Sequence, residues 1–222
     1  KKIYIKKMIF IETDSLKLCV PSKKNLEVWT SWINSSFLRK TVPSTHFPKT
    51  IDMQWNWIQS ELNSKKRMIL EICDKSNDNF LGIVSLSQID YQLKRSAQIA
   101  TISPDIKTPK NRFCVYEARK ALLEYSFNEL SLNKIWGTMI YPENKSFMIN
   151  NMCIGFEIEG INHDHSWQNN KPKLGINYFI TRNIFEKKKL LEKKIDELLK
   201  KKDRINNEKK LNKIISSLHI KN

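Results

Sequence analysis

Apolar and polar residues alternate with two different periods along this chain, and each change of period marks a predicted element. Apolar residues at every second position, or short β-rich apolar runs, predict strands, whereas apolar residues three and four apart predict helices. Strands are predicted over residues 8–20, 67–74, 80–89, 96–103, 135–141, 156–163 and 175–181. Helices are predicted over residues 25–34, 52–62, 115–130 and 144–153. Because strands and helices interleave, we predict an α/β fold.

Turn and cap residues support several of these boundaries. Residues 76–79, Ser-Asn-Asp-Asn, form a turn sequence between two predicted strands, which predicts a hairpin. Thr50 precedes a predicted helix and can cap it, because its hydroxyl can accept a hydrogen bond from an N–H group of the first turn. Gly155 follows a predicted helix, and glycine is the commonest helix stop.

The composition changes near the C-terminus. Leu191, Ile195 and Leu198 recur at helical spacing among lysines, and Leu211, Ile215 and Leu218 resume the pattern after residues 203–207. This pattern predicts one or two amphipathic helices. We therefore predict a folded domain over residues 1–182 and a basic amphipathic helical tail over residues 183–222. The tail is expected to pack on its own domain or on a second copy of the chain, with an arm for nucleic acid or anionic membrane as the alternative.

Composition excludes some classes of protein. The 222 residues are 40% hydrophobic, which suits one globular domain of ordinary size. No apolar run approaches the roughly 18 residues of a membrane span. Only short apolar runs precede the first acidic residues, so we expect no secretory signal and place the protein in the cytoplasm.

The formal net charge of +16 raises the question of a nucleic-acid partner, because lysine and arginine drive phosphate binding. After Arg182 the chain has twelve Lys and one Arg against six acidic residues, and the rest has 26 basic against 17 acidic residues. Because both parts are basic, the charge indicates no particular surface. We expect no nucleic-acid partner from it.

The four cysteines do not predict a metal site. Cys19, Cys73, Cys114 and Cys153 are far apart, form no CxxC pair and have no histidine at ligand spacing. Cysteines in such a pattern are typically small core residues or incidental thiols. We expect neither a bound metal nor a disulfide.

Residues 95–160 contain a recognisable order of elements and motifs. A strand over residues 95–104 is followed by a helix that begins near Glu117-Ala118, then by a strand ending in Tyr-Pro-Glu-Asn at residues 141–144, and by Gly-Phe-Glu-Ile-Glu-Gly at residues 155–160. This order resembles the acetyl-CoA half of the GNAT superfamily, in particular the branch of ribosomal-protein N-terminal acetyltransferases and amino-sugar acetyltransferases. The resemblance implies a central, mostly antiparallel, splayed mixed sheet of about seven strands with flanking helices, here followed by the basic helical extension.

The resemblance also implies a set of contacts to acetyl-CoA. The main chain at Ala100 and Ile102 would meet the pantetheine arm and the acetyl group, and Asn144 would face the cofactor from the start of a helix. The pyrophosphate would bind main-chain N–H groups at a helix N-terminus, where the partial positive charge favours anions. The residues in this turn are Lys110, Asn111, Arg112, Phe113, Cys114 and Val115.

This turn departs from the pattern of the family, because its usual glycines are absent. The donors are main-chain N–H groups, which every residue except proline supplies. Phe113 can therefore replace a glycine if its φ is ordinary and its ring turns away from the ligand. The alternative is a surface loop with ordinary basic residues and a lost site.

Acetyl transfer to an amine requires a neutral amine, a stabilised oxyanion and a proton for the departing thiolate. The resemblance implies that a main-chain N–H of residues 99–102 stabilises the oxyanion. Gln98 stands where many relatives carry a glutamate, and Asn151 stands where many carry a tyrosine general acid. Proton transfer must then use other groups. We name Tyr141 and His163 as substitutes, and together the predicted catalytic set is Gln98, Tyr141, Asn151 and His163.

Other side chains are weaker alternatives for proton transfer, namely Glu71, Asp90, His46 and His165. An isolated histidine on a loop is more often exposed and idle.

The resemblance implies an acetyl-CoA-dependent N-acetyltransferase that works by direct attack in a ternary complex. The favoured acceptor is a small polar amine or an amino-sugar nucleotide. The alternatives are a protein N-terminal acetyltransferase of the ribosomal-protein type, or a non-catalytic member of the fold that binds CoA or a partner. The expected partners are acetyl-CoA, an amine acceptor and a second copy of the chain, with no metal.

Overall fold

The computed structural model of the chain describes residues 8–36, 38, 47–102, 113–168, 170–190 and 192–219. The chain forms two compact units, an N-terminal unit over residues 1–132 and a C-terminal unit over residues 133–222. Both units combine strands with helices, which confirms the α/β prediction. The predicted boundary at residue 182 stays a prediction.

The N-terminal unit contains five consecutive antiparallel strands. They are β1 (Ile9–Glu12), β2 (Leu16–Cys19), β3 (Met68–Asp74), β4 (Phe80–Asp90) and β5 (Arg95–Ile102). The single strand predicted over residues 8–20 is instead a hairpin, because the Leu16 N–H donates to the Thr13 hydroxyl at 3.0 Å and closes a turn. The described residues therefore form eight strands where about seven were expected.

The helices described in the N-terminal unit cover its sheet and bury two of its four tryptophans. They are α1 (Leu26–Ile33), α2 (Ile51–Asn63) and α3 (Cys114–Asn128). The predicted cap of α2 is confirmed, since the Met53 N–H donates to the Thr50 hydroxyl at 3.2 Å. Trp29 and Trp32 of α1 form a buried cluster with Ile58 of α2. These aromatic residues therefore belong to the core.

The C-terminal unit begins with three strands that pair antiparallel in the order β6-β8-β7. Its elements are β6 (Lys134–Tyr141), α4 (Lys145–Cys153), β7 (Glu157–Gln168) and β8 (Lys171–Thr181). Gly155, with φ +100°, follows the end of α4, which confirms the predicted stop. β7 and β8 extend beyond the predicted ranges of 156–163 and 175–181. Their outer halves are mostly exposed, so they lack the apolar alternation that predicts a strand.

The remaining helices are α5 (Arg182–Lys187), α6 (Ile195–Leu198) and α7 (Lys201–His219). α7 packs on α4, with Leu211 and Ile215 buried, and Glu208 forms an ion pair with Lys145 at 2.8 Å. The apolar stripe of α7 is therefore used within its own unit. The predicted homodimer stays a prediction. No helix in the described part of the chain combines the length and apolar character needed for a membrane span.

Candidate functional site

The predicted phosphate turn covers residues 110–115, and the structure describes its last three residues, at the N-terminus of α3. Lys110, Asn111 and Arg112 lie outside the described residues. Phe113 has φ −112° and ψ 8°, an ordinary backbone conformation, so the absent glycine causes no strain there. Its carbonyl accepts from the N–H groups of Tyr116 and Glu117 at 2.9 and 3.2 Å.

The first two residues of α3 can offer a ligand only their main-chain N–H groups. The N–H groups of Cys114 and Val115 lie in the first turn, where an α-helix provides no carbonyl four residues earlier. Both side chains are buried. Burial raises the pKa of the Cys114 thiol to about 12, although the N–H of Val115 acts to lower it. Cys114 is therefore a protonated thiol at neutral pH and not a nucleophile.

The ring of Phe113 lies against a neighbouring aromatic residue. It is half-buried, with its centroid 6.3 Å from that of Tyr116 and the two planes at 56°. The sequence required this ring to turn away from the ligand, and the contact with Tyr116 gives it a packing partner on α3 itself.

Glu117 fixes the first turn of α3 to the turn between β1 and β2. Its carboxylate accepts from the Thr13 hydroxyl at 2.6 Å, and from both the N–H at 3.0 Å and the hydroxyl of Ser15. An acidic residue in the first turn of a helix is also favoured by the helix dipole. In the sequence, Glu117 marks only the start of the helix. Its partners are about 100 positions away, and no local pattern identifies them.

Gln98 lies in the interior of the N-terminal unit and joins β5 to α3. It is 2% exposed, its Oε1 accepts from Arg119 Nε at 2.9 Å, and its Nε2 donates to the Arg119 carbonyl at 3.1 Å. An amide can donate and accept at once, whereas a glutamate could not donate to that carbonyl. Ala100 and Ile102, on the same strand, pair with Val84 and Gly82 of β4. The main chain of β5 is thus held in place from two directions.

Two of the alternative proton carriers have structural partners instead. Glu71 is 1% exposed and accepts from the Ser22 N–H at 2.8 Å and from Asn25 Nδ2 at 2.5 Å. Asp90 accepts from the N–H groups of Gln92 at 3.0 Å and Leu93 at 2.8 Å. His46 lies outside the described residues.

The backbones of Tyr141 and of the β7 segment that contains His163 lie at the same level of the sheet in the C-terminal unit. Tyr141 of β6 pairs with Leu174 of β8. On β7, regular pairing with β8 is interrupted between Asn162 and Ser166, so residues 163–165 bulge opposite Leu174. Strands in a sheet are about 4.8 Å apart, which places Tyr141 and the bulge roughly 10 Å from each other. Bulges of this kind commonly redirect side chains beside active sites.

The bulge gives one histidine a defined position. Asp164, at its centre, has φ 48°, a left-handed conformation. The imidazole of His165 lies over Gly175, so a Cβ at that glycine would be 2.5 Å from His165 Cγ. Gly175 pairs with Ile140, the residue before Tyr141, and neighbouring residues of a strand point to opposite faces. The His165 ring therefore lies on the face of the sheet opposite the Tyr141 side chain. The sequence singled out His163, which is exposed on the same bulge. Only the pairing of β7 with β8 identifies His165 as the histidine that is held against the sheet.

Two asparagines on α4 have different environments. Asn144 is the N-cap residue and is half-buried, but its side chain makes no capping hydrogen bond within the described part of the chain. The cap expected from its position is therefore absent there, and its amide is available to a ligand. Asn151 is 0% exposed, and its main-chain carbonyl accepts from the Phe156 N–H at 3.0 Å, which closes the end of the helix. Its roles in packing and helix termination leave it less suited to proton transfer.

No group of three or more histidine, cysteine, aspartate or glutamate side chains that could hold a metal occurs among the described residues.

Comparisons with known proteins identify the family. The family model for the acetyltransferase (GNAT) domain matches residues 16–149. No curated protein matches the chain.

Several solved structures share the fold at low sequence identity. The spermidine N-acetyltransferase of Vibrio cholerae, in complex with CoA and spermine, has a TM-score of 0.68 at 18% identity and covers 78% of this chain and 99% of its own. A ribosomal-protein-serine acetyltransferase from Vibrio cholerae has a TM-score of 0.58 at 16% identity, covering 77% and 96%. A microcin C7 self-immunity acetyltransferase, in complex with acetyl-CoA and AMP, has a TM-score of 0.62 at 20% identity, covering 76% and 93%.

Proposed function

We propose an acceptor and a set of functional residues for this chain. The chain belongs to the acetyltransferase (GNAT) domain family and is therefore an acetyl-CoA-dependent acyltransferase. The acetyl group passes from acetyl-CoA to the primary amine of a small polar molecule, such as an amino-sugar nucleotide, by direct attack in a ternary complex. The observation that carries this proposal is the family match over residues 16–149, combined with the unstrained helix start at Phe113.

The charge of the chain favours this acceptor over a polyamine. The structural neighbour from Vibrio cholerae described as a spermidine N-acetyltransferase acts on a polycation. A protein with a formal net charge of +16 repels polycations and attracts anionic molecules. An amine that is carried by a nucleotide brings its own negative charge. The relative in complex with acetyl-CoA and AMP is consistent with a nucleotide-linked acceptor.

We assign the binding of acetyl-CoA mainly to main-chain groups. The N–H groups of Cys114 and Val115 face the pyrophosphate, and the adjacent residues Lys110, Asn111 and Arg112 contribute charge and further N–H groups. On β5, the main chain at Ala100 and Ile102 contacts the pantetheine arm and the acetyl group. The Asn144 amide adds a polar contact, which its lack of a described capping hydrogen bond allows.

The reaction needs a group that handles protons. The amine loses one proton to become nucleophilic, its nitrogen then bonds to the acetyl carbon, and the C–S bond breaks. The second amine proton leaves with a base while the thiolate of CoA, with a pKa near 8.5 as for a free thiol, takes up a proton. We assign the base to the His165 imidazole and let water protonate the thiolate, because the Tyr141 side chain lies on the opposite face of the sheet. Gln98 acts as a positioning residue that holds β5.

Thiol release with acetyl-CoA across a panel of amines tests this proposal. The panel contains an amino-sugar nucleotide, a simple amino sugar, spermidine and a peptide with the N-terminus of a ribosomal protein. We expect the highest kcat/KM for the amino-sugar nucleotide, with the acetylated product identified by mass spectrometry. Highest turnover with the peptide would instead support the N-terminal acetyltransferase alternative, and highest turnover with spermidine would contradict the charge argument.

A non-catalytic member of the fold is the second candidate, because Gln98 and Asn151 replace the usual proton carriers and are both buried. Calorimetry with CoA separates the two functions. Tight binding of CoA with no turnover of any amine would establish the non-catalytic function. Absence of both binding and turnover would overturn both candidates.

A further inference from the structure

Helices α5 to α7 and the end of α4 enclose a groove with a cationic lining. Its volume is about 690 Å³, and all of its lining residues belong to the C-terminal unit. Met152, Leu190 and Leu198 contribute apolar surface. The charged lining residues are Lys187, Lys188, Lys189, Lys193 and Lys200, with Glu197 and Asp203 as the acids.

Three of the groove lysines have no acidic partner in the described part of the chain. Lys188 forms an ion pair with Glu157 at 2.9 Å, and Lys189 lies 4.0 Å from Glu192. Lys187, Lys193 and Lys200 are exposed and form no ion pair with any described residue. The lining has five lysines against two acidic residues, so the groove has a net positive charge.

The outer face of α7 has further exposed lysines. Lys202, Lys209 and Lys213 are exposed, and a spacing of seven and then four residues places them on one side of a helix. At 1.5 Å per residue they span roughly 16 Å. Leu211 and Ile215 are buried on the opposite side of α7. We call Lys187, Lys193, Lys200, Lys202, Lys209 and Lys213 the tail lysine surface.

The packing of α7 decides which polyanion suits this surface. A helix that lies in a membrane inserts a free apolar face below the lipid headgroups. The apolar face of α7 is instead buried against its own unit, so the helix presents charge without an insertion surface. No aromatic side chain occurs among the described lining residues of the groove, so it offers no platform for stacking bases. A charged surface without a free apolar face and without aromatic lining residues favours the phosphodiester backbone of a nucleic acid.

We propose that the tail lysine surface binds the phosphodiester backbone of nucleic acid without reading base sequence. Composition alone gave no reason to expect this partner, because both parts of the chain are basic. The structure changes that expectation, since it places unpaired lysines on one groove and one helix face. The surface lies beyond the region matched by the family model, which ends at residue 149. The inference is independent of the acetyl acceptor.

Fluorescence anisotropy of the full-length chain tests the proposal. The probes are a 20-base-pair DNA duplex, an RNA duplex of equal length, a single strand and a duplex of scrambled sequence, each titrated at several salt concentrations. Engagement of six lysines predicts that the logarithm of the binding constant falls with the logarithm of salt with a slope of about −5. We expect duplexes to bind more tightly than the single strand because their charge density is higher, and the scrambled duplex to bind equally well.

Two variants that lose the same charge locate the surface. The triple variant Lys202→Gln, Lys209→Gln, Lys213→Gln should flatten the salt slope by about 3, because each lost phosphate contact removes about 0.9. The control Lys24→Gln, Lys66→Gln, Lys94→Gln removes three exposed lysines of the N-terminal unit and should leave the slope nearly unchanged. Circular dichroism checks that both variants remain folded.

Three results would overturn the proposal. Equal effects of the two triple variants would show that the charge acts diffusely. Binding to vesicles of anionic phospholipid without binding to any duplex would identify a membrane surface. Absence of duplex binding at about 50 mM salt would exclude a nucleic-acid partner.

Discussion

Buried polar residues of the N-terminal unit and candidate residues of the C-terminal unit have contrasting environments. Glu71 and Gln98 are enclosed, and each exchanges two or more hydrogen bonds with neighbours in its own unit. Asn144 is half-buried, whereas His163 and His165 are exposed. A polar residue that the sequence marks as a site candidate can therefore stabilise the fold instead of contacting a ligand.

Replacement of Glu71 tests the structural half of this contrast. We expect Glu71→Ala to lower the free energy of unfolding by about 3 kcal/mol, because it leaves the Ser22 N–H and the Asn25 amide without their buried acceptor. Urea unfolding measures the change. Glu129→Ala, at an exposed position, is the control and should change the free energy by less than about 0.5 kcal/mol. Equal losses in the two variants would remove the structural role of Glu71.

Substitution of the two bulge histidines tests the functional half. We expect His165→Gln to lower kcat by about 100-fold, because the proposed base is lost. His163→Gln, two residues away on the same bulge, should stay within about two-fold of the parent. Both variants should unfold at the parent urea concentration. A larger effect of His163→Gln on kcat would assign the base to that residue instead.

Gln98 was predicted as a catalytic residue, and its surroundings indicate a positioning role. We expect Gln98→Leu to lower the free energy of unfolding by about 2 kcal/mol, because the Arg119 carbonyl and Nε each lose a buried hydrogen bond. Gln98→Glu should recover part of this loss, since a carboxylate can still accept from Nε. The pH–rate profile distinguishes the roles. A profile that shifts in Gln98→Glu at unchanged stability would support direct participation in proton transfer.

Gly175 allows a smaller test of the His165 position. A Cβ there would be 2.5 Å from the ring, so Gly175→Ala should displace an exposed imidazole and lower kcat by about 10-fold. The free energy of unfolding should change by less than about 1 kcal/mol. Gly160→Ala is the matched control on β7, because a Cβ there would have no atom within 4 Å. Similar losses of kcat in both variants would contradict the proposed position of the ring.

Alkylation rates compare one cysteine of each unit, Cys114 and Cys153, and we expect the smallest difference of all these tests. Burial raises the pKa of Cys114 to about 12 and also raises the pKa of Cys153, which is half-buried. Because the thiolate is the reactive form, both should react slowly at pH 8, and the rate of Cys153 should keep rising above pH 9. Mass spectrometry after iodoacetamide treatment should find Cys153 modified first. Faster modification of Cys114 would show that the start of α3 opens in solution.

The element order and several element boundaries could be predicted because their causes are local. Apolar periodicity located the helices and most strands, Thr50 marked the start of α2, and Gly155 marked the end of α4. The turn at Thr13 and the outer halves of β7 and β8 could not be predicted. They depend on pairing between segments whose exposed residues carry no apolar alternation.

By itself, the sequence determined an α/β fold of the acetyltransferase class with an added basic segment, because the periods of the elements and their order are written in consecutive residues. Only the tertiary structure decided the partners of Gln98, Glu71 and Glu117, the position of the β7 bulge opposite Leu174, and the exposure of the tail lysines. These relations join residues that are distant in the chain. Burial, hydrogen bonding and charge act through space, so the same residue types acquire their roles only when the fold brings them together.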